Sequence, residues 1–585
     1  MSVQDKPQTP DDQTHLEYGN ADPEKPTNST ADSGSPAPFE EPFVFTKEIF
    51  LTLLAGYVAW MADLFAVNTS SSILASINAY LGPQSTYTFI QLGQLGLLAF
   101  LGPIAGGLCD TFGSRYLMLA SNIFGILGAG FAGWATNVNM GIAGGIIIGI
   151  GASIHVQIWA TLAALVPKRH RALAFGLFQL ALAPGIAFAP VIAHAADFHG
   201  HWRWIFWLPF ILYIIDIPLV FFFYHPQSVH PSTGLSVSKR LALFDWIGSF
   251  LFFAGVVLFV LGLTLGGNQF TWKSAITLCL TVIGFCLLLF LGVFETFAPL
   301  KFPLFPRKAM ANFRGVVTIL WSLFFYCAAE FAVNNLWGTQ VQVLYTQDAL
   351  KIGWYSSAYT IPMVVFPLIS GLLFFRIGYT HFQYLFYLVA MLLCLWCMAT
   401  VETATAGGIT ALVALTGGFV SSLWIITLII VQIEAGPAHI GWVTGLFYTV
   451  KNVGGAIGST TYSNHLVTRF TMALTSNVAV PLAQSGLDPT LIPEVLTALT
   501  TGITTAPVLA ELTQEQLGIA VSGITKSYAY AFKIIFLISI AYGFAGIVFA
   551  LFGKSVAPDD SVDAKPAGGP LSRNLRKSSR TDSNV

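Results

Sequence analysis

Fourteen apolar runs, each long enough to cross a bilayer, constrain this chain more than any other feature. A spanning helix needs roughly 20 apolar residues, because each adds ~1.5 Å of rise and the hydrocarbon core is ~30 Å thick. The runs lie near 48–70, 85–105, 116–134, 140–165, 171–193, 203–224, 245–266, 274–294, 314–337, 354–375, 382–400, 407–431, 441–464 and 533–553. Only 9% of residues are charged, against ~25% in a soluble domain, so a water-soluble fold would lack a polar surface. The pattern predicts an all-α polytopic membrane protein whose first partner is the lipid bilayer. A net charge of −1 provides no basic field for nucleic acid, and no such partner is expected.

Lys and Arg in short loops set the orientation. With the N-terminus inside, cytoplasmic loops carry Arg115, Lys168, Arg169, Arg171, Lys239, Arg240, Lys301, Arg307, Lys308, Arg314 and Arg376, whereas external loops carry Arg203, Lys273 and Lys351. An even number of spans returns the C-terminus to the cytoplasm. Residues 1–44 and 554–585 are polar and are expected to be disordered cytoplasmic tails. Asn28-Ser29-Thr30 fits a glycosylation acceptor that such a tail leaves unused. Arg573, Arg576, Lys577 and Arg580 stand among serines in the other tail. No secretory signal is evident, so the first span is expected to direct insertion. Cys109, Cys279, Cys286, Cys327, Cys394 and Cys397 fall in or beside spans; they read as structural thiols, without a disulfide framework or a metal site. Residues 465–532 form a long external connection with helix-like stretches at 491–499 and 509–521, either a solvated cap or a lid.

The loop after the second run reads Gly106-Gly-Leu108-Cys-Asp110-Thr-Phe-Gly113-Ser-Arg115. A carboxylate, a glycine turn and a cation there can act as a conformational latch between helices leaving the membrane. Gly371-x-Leu373 and Arg376-x-Gly378 echo it after the tenth run, as expected of a transporter built from repeats. The loop resembles the G-x-L-x-D-x-x-G-x-R/K signature of the major facilitator superfamily, with Thr111 at the first basic position. The fifth run, with Gly176, Gly185, Ala189-Pro190 and Ala193, is similar to the antiporter motif G-x8-G-x3-G-P-x2-G of the fourteen-span drug:proton antiporter branch. Trp202-Arg203-Trp204-Ile-Phe206 and Asp245-Trp246-Ile-Gly248-Ser249 resemble further hallmarks of that branch. Gly145 to Gly151 and Gln432 to Gly458 look most like the fungal trichothecene efflux pump family, with siderophore transporters next.

The resemblance implies two six-helix bundles, 45–225 and 301–553, separated by a linker (226–300) carrying spans seven and eight. Spans one, four, nine and twelve would face a central cavity. An ionisable group at membrane depth costs ~2.5–3.5 kcal/mol and is a functional candidate by default. Asp63, His155 and Glu330 lie in three of those spans and are the candidate proton-coupling residues, expected to face water. Asp63 with Asn68 resembles the branch's L-D-x-T-x-x-N motif. Asn68, Gln157, Asn334, Asn335, Lys451 and Trp424 are candidate cavity residues; Asp216 is expected to bond a neighbour. Gly145 stands where the branch carries an arginine in span four, so that arginine's proton role does not transfer.

The expectation is a secondary transporter, monomeric and without a cofactor, exporting a toxin, secondary metabolite or drug in exchange for protons by alternating access. Uptake of a ferric siderophore or another metabolite is the alternative. A non-transporting sensor and a membrane enzyme are different-class alternatives; H-x-x-H, H-E-x-x-H and G-x-S-x-G are absent from the sequence, and the chain is not expected to be an enzyme. Gly553-Lys554-Ser555 ends like a nucleotide-binding loop, but Val548 occupies its first glycine position. The plasma membrane is the expected location, with the vacuolar membrane as alternative.

Overall fold

The computed structural model describes residues 46–84, 86–225, 237–267, 270–300, 303–400, 406–488, 490–500 and 512–556. Both tails, Asn28-Ser29-Thr30, Lys301, the side chain of Arg240 and the basic residues from Arg573 to Arg580 lie outside what is described.

The first half comprises α1 (Lys47–Ser72) with its continuation α2 (Leu74–Leu81), α3 (Phe89–Phe112), α4 (Ser114–Gly133), α5 (Val138–His155) with α6 (Ile158–Leu165), then α7 (Lys168–Ala181), α8 (Ala183–Ile186), α9 (Ala189–Phe198) and α10 (Trp204–Phe223). A short α11 (Val237–Leu243) leads to α12 (Trp246–Leu265) and α13 (Ala275–Phe297). The second half follows as α14 (Arg307–Ala311), α15 (Thr318–Leu344), α16 (Ala349–Ile377), α17 (Thr380–Thr400), α18 (Ala406–Ala435), α19 (Ile440–Leu474), α20 (Val480–Gln484), α21 (Ile492–Thr500) and α22 (Gln514–Leu551). Polar side chains start several of them: Thr46, Asn137, Asp245, Ser274 and Asp348 accept bonds from the first-turn N–H groups of α1, α5, α12, α13 and α16, satisfying donors that have no intrahelical partner.

Among the described residues, thirteen helical stretches are long and apolar enough to cross a membrane. The remaining apolar run, 171–193, is split into α7, α8 and α9. Pro184 and Pro190 lack the N–H that would continue the ladder, which leaves carbonyls in need of donors. Neighbouring helices supply them: Tyr57 Oη donates to Ala181 O (2.9 Å), Asn68 Nδ2 to Gly185 O (2.8 Å) and Thr360 Oγ1 to Ala187 O (3.0 Å). A break at membrane depth is tolerable when freed carbonyls are answered in this way. Asn68, expected in the substrate cavity, is thus committed to holding the broken span against α1.

The helices group as two bundles. In the first, α1 packs on α10, α10 on α4, α4 on α5 and α5 on α3; in the second, α15, α16, α17, α18, α19 and α22 pack together. α12 and α13 pack on each other, and α12 also touches α3 and α19. The bundles meet along two seams, α3 against α19 and α7 with α9 against α16.

Among the described residues of 465–532 most continue the last two spans; 501–511, which include the start of the helix-like stretch expected at 509–521, lie outside what is described. No Gly or Pro interrupts 465–480, so α19 runs on to Leu474 and passes through a π-helical turn, Thr475–Ala479, into α20. At the other end α22 begins at Gln514 under a Thr513–Gln516 capping box. Phe470, Leu474, Val478, Leu482, Val495 and Ala520 form a small core there, closed by the stacked rings of Phe470 and Tyr528, 3.9 Å apart.

Candidate functional site

Two buried polar clusters, one per bundle, are built on the first membrane-crossing helix of each half, α1 and α15. In the first half Asp63 of α1 is fully enclosed, and its partner Tyr213 belongs to an apolar cluster with Ala62, Ala66, Ala129 and Ile148. A carboxylate in such surroundings needs hydrogen-bond partners on both oxygens. Tyr213 of α10 donates to Oδ1 (2.5 Å) and His155 Nδ1 lies 2.7 Å from Oδ2. The imidazole stacks on Tyr213, ring centroids 5.8 Å apart. Close by, Asn122 of α4 donates to Asp216 Oδ2 (2.7 Å), as expected of Asp216. Asp63 and His155 were expected to face water. They point instead toward α10 inside their bundle, because the donors that stabilise the carboxylate stand there.

Glu330 of α15 was likewise expected to face water and is also fully buried. Tyr359 of α16 donates to its Oε1 at 2.5 Å, and Asn334, one turn on, donates to the same oxygen at 3.2 Å. Oε2 has no partner. Lys451 of α19 is within electrostatic reach of Glu330, and its Nζ sits 3.4 Å from the centroid of the Trp424 ring, a cation–π contact. Trp424 and Lys451 also line a small pocket between the halves, with Tyr448 of α19, Ser421 of α18, and Trp159 and Gln179 from the first half. Trp60 reaches across to Tyr448, ring centroids 5.8 Å apart. Asn335 lies on an exposed face of α15 and donates to Ser459 Oγ at 2.5 Å. Gln157 is buried where α5 gives way to α6, and neither end of its amide has a partner. Of the expected cavity residues, the structure therefore gathers Trp424 and Lys451 at one pocket and leaves Asn68 and Gln157 away from it.

The latch residues divide between two jobs. Asp110 accepts from the N–H groups of Gly441 (3.1 Å) and Trp442 (2.8 Å), the first turn of α19 in the opposite half. It caps that helix from across the seam, since His439 at the N-cap makes no side-chain cap bond. Arg115 was expected to work beside Asp110. It donates instead to Phe221 O at 2.5 Å and lies over the Phe221 ring, tying α4 to the carbonyl end of α10 in its own half. Gly113 joins α3 to α4 with φ 87°, which favours glycine.

Small residues bring the backbones together at both seams. A Cβ on Gly106 would overlap the carbonyl of Gly441, and one on Gly102 would lie 2.6 Å from Gly445 O. On the other seam, a Cβ on Gly176 would lie 2.5 Å from Pro367 O, and one on Gly371, in the repeat of the latch motif, would overlap the carbonyl of Ala172. Gly185 rests on Met61 of α1, and Pro190 lies beside Gly353 of α16. Gly106 and Gly371 thus do the same work in the two halves.

The family model of the fungal trichothecene efflux pump (TRI12) matches residues 20–558. The chain belongs to that family. It is similar to "Trichothecene efflux pump TRI12" of Fusarium sporotrichioides, 23% identical over 510 residues covering 84% of this chain and 83% of that one. The protein of the same name from Trichoderma arundinaceum is 24% identical, covering 74% and 72%. Among solved structures, the major facilitator superfamily proton:xylose symporter XylE superposes with a TM-score of 0.51 at 14% identity, covering 88% of this chain and 98% of that one. This family member is a multi-pass membrane protein with the major facilitator fold, a secondary transporter.

Tyr213, Tyr359, Asn122 and Tyr448 complete these sites without having been singled out from sequence. One signal was available: Tyr213 and Asp216 are one helical turn apart, so they share a face of α10. Tyr359 carries no such mark, because its acceptor is on another helix.

Proposed function

We propose that this transporter exports a bulky, weakly polar secondary metabolite or toxin, of the trichothecene kind, from the cytosol in exchange for protons. The observation that carries the proton coupling is the pair of buried carboxylates, Asp63 and Glu330, in the first membrane-crossing helix of each half. Each is held by a tyrosine hydroxyl from another helix of its own bundle; Asp63 also contacts the His155 imidazole, and Lys451 is within electrostatic reach of Glu330. A group of this kind changes its protonation as water reaches or leaves it. The aromatic pocket at Trp424, Tyr448 and Trp159 suits a ring-containing solute, with Lys451 able to donate to its oxygen atoms.

Residues 45–225 and 301–553 act as the two moving bodies, the linker helices following. Efflux-pump relatives support the outward direction. With both termini cytoplasmic in the plasma membrane, the Asp110 end is the cytoplasmic gate. The monomer is the transport unit. A ~100 mV potential supplies ~2.3 kcal/mol per proton and one pH unit ~1.4 kcal/mol, enough for an excess of several hundredfold of a neutral solute.

The test is cellular content of a labelled trichothecene in yeast lacking its own exporters. Expression should lower it, a protonophore should restore it, and Glu330→Gln should remove the effect at unchanged membrane abundance. Unaltered content, or accumulation of a labelled ferric siderophore supplied in parallel, would overturn the proposal.

A further inference from the structure

Lys451 is the only Lys, Arg, His, Asp or Glu among the described residues that line the pocket between the halves. Aromatic rings hold its ammonium there. Nζ lies 3.4 Å from the centroid of the Trp424 ring and 5.6 Å from that of Tyr448, and among the described residues it has neither a hydrogen bond nor an ion pair. An ammonium carries three N–H donors, and a ring face attracts the charge without pairing each of those donors. The charge is thus fixed in place but not neutralised. Neither buried carboxylate lines the pocket. The oxygens of Asp63 are engaged by Tyr213 and His155 inside the first bundle, and Tyr359 and Asn334 both donate to Oε1 of Glu330 inside the second.

The facing half also brings donors. Trp159 of α6 lines the pocket, and its indole N–H is buried without an acceptor. Phe175 and Phe178 pack against that indole at steep angles, ring centroids 5.1 and 4.9 Å away, and fix its plane. Gln179 of α7 adds an amide. A donor buried in this way is stabilised only when something brings it an acceptor.

We infer that this pocket selects its solute by charge, taking neutral or anionic solutes rich in acceptor oxygens and refusing lipophilic cations. The inference rests on the reading of this pocket as the solute site and deepens it. An ether, ester or carboxylate oxygen on one edge of the solute meets Lys451, and an oxygen on another edge meets the Trp159 N–H. The bound solute then joins α19 of one half to α6 of the other, with its ring system against Trp424 and Tyr448. A solute ammonium meets a like charge in a low-dielectric site whose lining holds no carboxylate to answer it. Lys451 sets the sign of charge that is admitted, and Trp159 sets the need for a second acceptor.

The full chain is purified in detergent, and equilibrium binding is measured by scintillation proximity with three tritium-labelled probes of similar shape: methyl naphthylacetate, naphthylacetate and naphthylmethyl-trimethylammonium. Wild type should bind the ester and the anion at least about tenfold more tightly than the cation. Lys451→Met, of similar length and without charge, should bring the cation to within about threefold of the ester. Lys451→Glu should reverse the order of anion and cation. Lys451→Arg should keep the wild-type order, since the charge is retained. Trp159→Phe keeps a ring but lacks the N–H; it should weaken the ester and the anion by about threefold to tenfold and leave the cation within about twofold of wild type.

Wild type binding the cation as tightly as the ester would overturn the inference, as would an order unchanged in both Lys451→Met and Lys451→Glu, or no binding of any of the three probes. The efflux reading is judged separately, by cellular content of the labelled trichothecene. Export of that toxin by a protein that binds the three probes alike would refute charge selection and leave efflux standing. The expected order of binding without export would do the reverse.

Discussion

Removing the carboxylate of Asp110 should open the gate between the bundles at the end where α3 meets α19. That carboxylate accepts two backbone N–H groups of the opposite half, at 3.1 and 2.8 Å. Hydrogen bonds to a charged group contribute about 1.5–3 kcal/mol, and part of this comes from the charge facing the N-terminal end of the α19 dipole. Both bonds exist only while the seam is closed. Asp110→Ala therefore costs the closed state about 1.5–3 kcal/mol relative to the open one, a shift in the equilibrium of roughly 10- to 150-fold. Spin labels at Tyr116 and Phe382, exposed positions in opposite halves near the same end, report the separation by pulsed electron resonance. Wild type should give a dominant short distance and Asp110→Ala a dominant longer one, with Asp110→Asn intermediate because its single carbonyl oxygen still accepts. A distance distribution for Asp110→Ala identical to wild type would refute the inter-bundle cap. Arg115→Ala provides the contrast: its guanidinium bonds within its own half, so it should lower thermal stability without lengthening the distance.

Three other outcomes follow from the same contacts. Gly445→Val places a side chain into the backbone of Gly102, and overpacking of this kind costs about 1–3 kcal/mol; the same spin-label pair should report separation of α3 from α19. Asn68→Ala strips the donor from Gly185 O and leaves a carbonyl unanswered at membrane depth, so the melting temperature should fall by the equivalent of about 1–3 kcal/mol, measured by tryptophan fluorescence. Lys451→Met keeps the length of the side chain but removes the ammonium from the Trp424 ring; a cation–π contact contributes about 0.5–2 kcal/mol, and the labelled trichothecene's KM in counterflow should change while membrane abundance does not.

The bilayer made much of this architecture legible in advance. Apolar length fixes how many times a chain can cross, and Gly106, Asp110 and Gly113 carry a local pattern that stood out in the sequence and lies where α3 meets α19. Small residues at Gly176, Gly185 and Gly371 likewise announce close contact. The run at 171–193 had the right length for an unbroken span, with Pro184 and Pro190 as visible kinks. Its division into three helices depended on donors from Tyr57, Asn68 and Thr360, on helices far away in sequence.

Sequence alone determined the class of molecule and the place of Asp63, His155, Glu330 and Lys451 within apolar runs, because insertion cost acts locally. Tertiary structure decided what each of those groups faces. A helix presents side chains in all directions, and only the packing of α10 on α1 turned Asp63 toward Tyr213 rather than toward the seam. The same holds for Asp110, whose partners are backbone amides. Backbone amides have no residue-type signature, so their place at the start of α19 could be known only once the two halves were seen together.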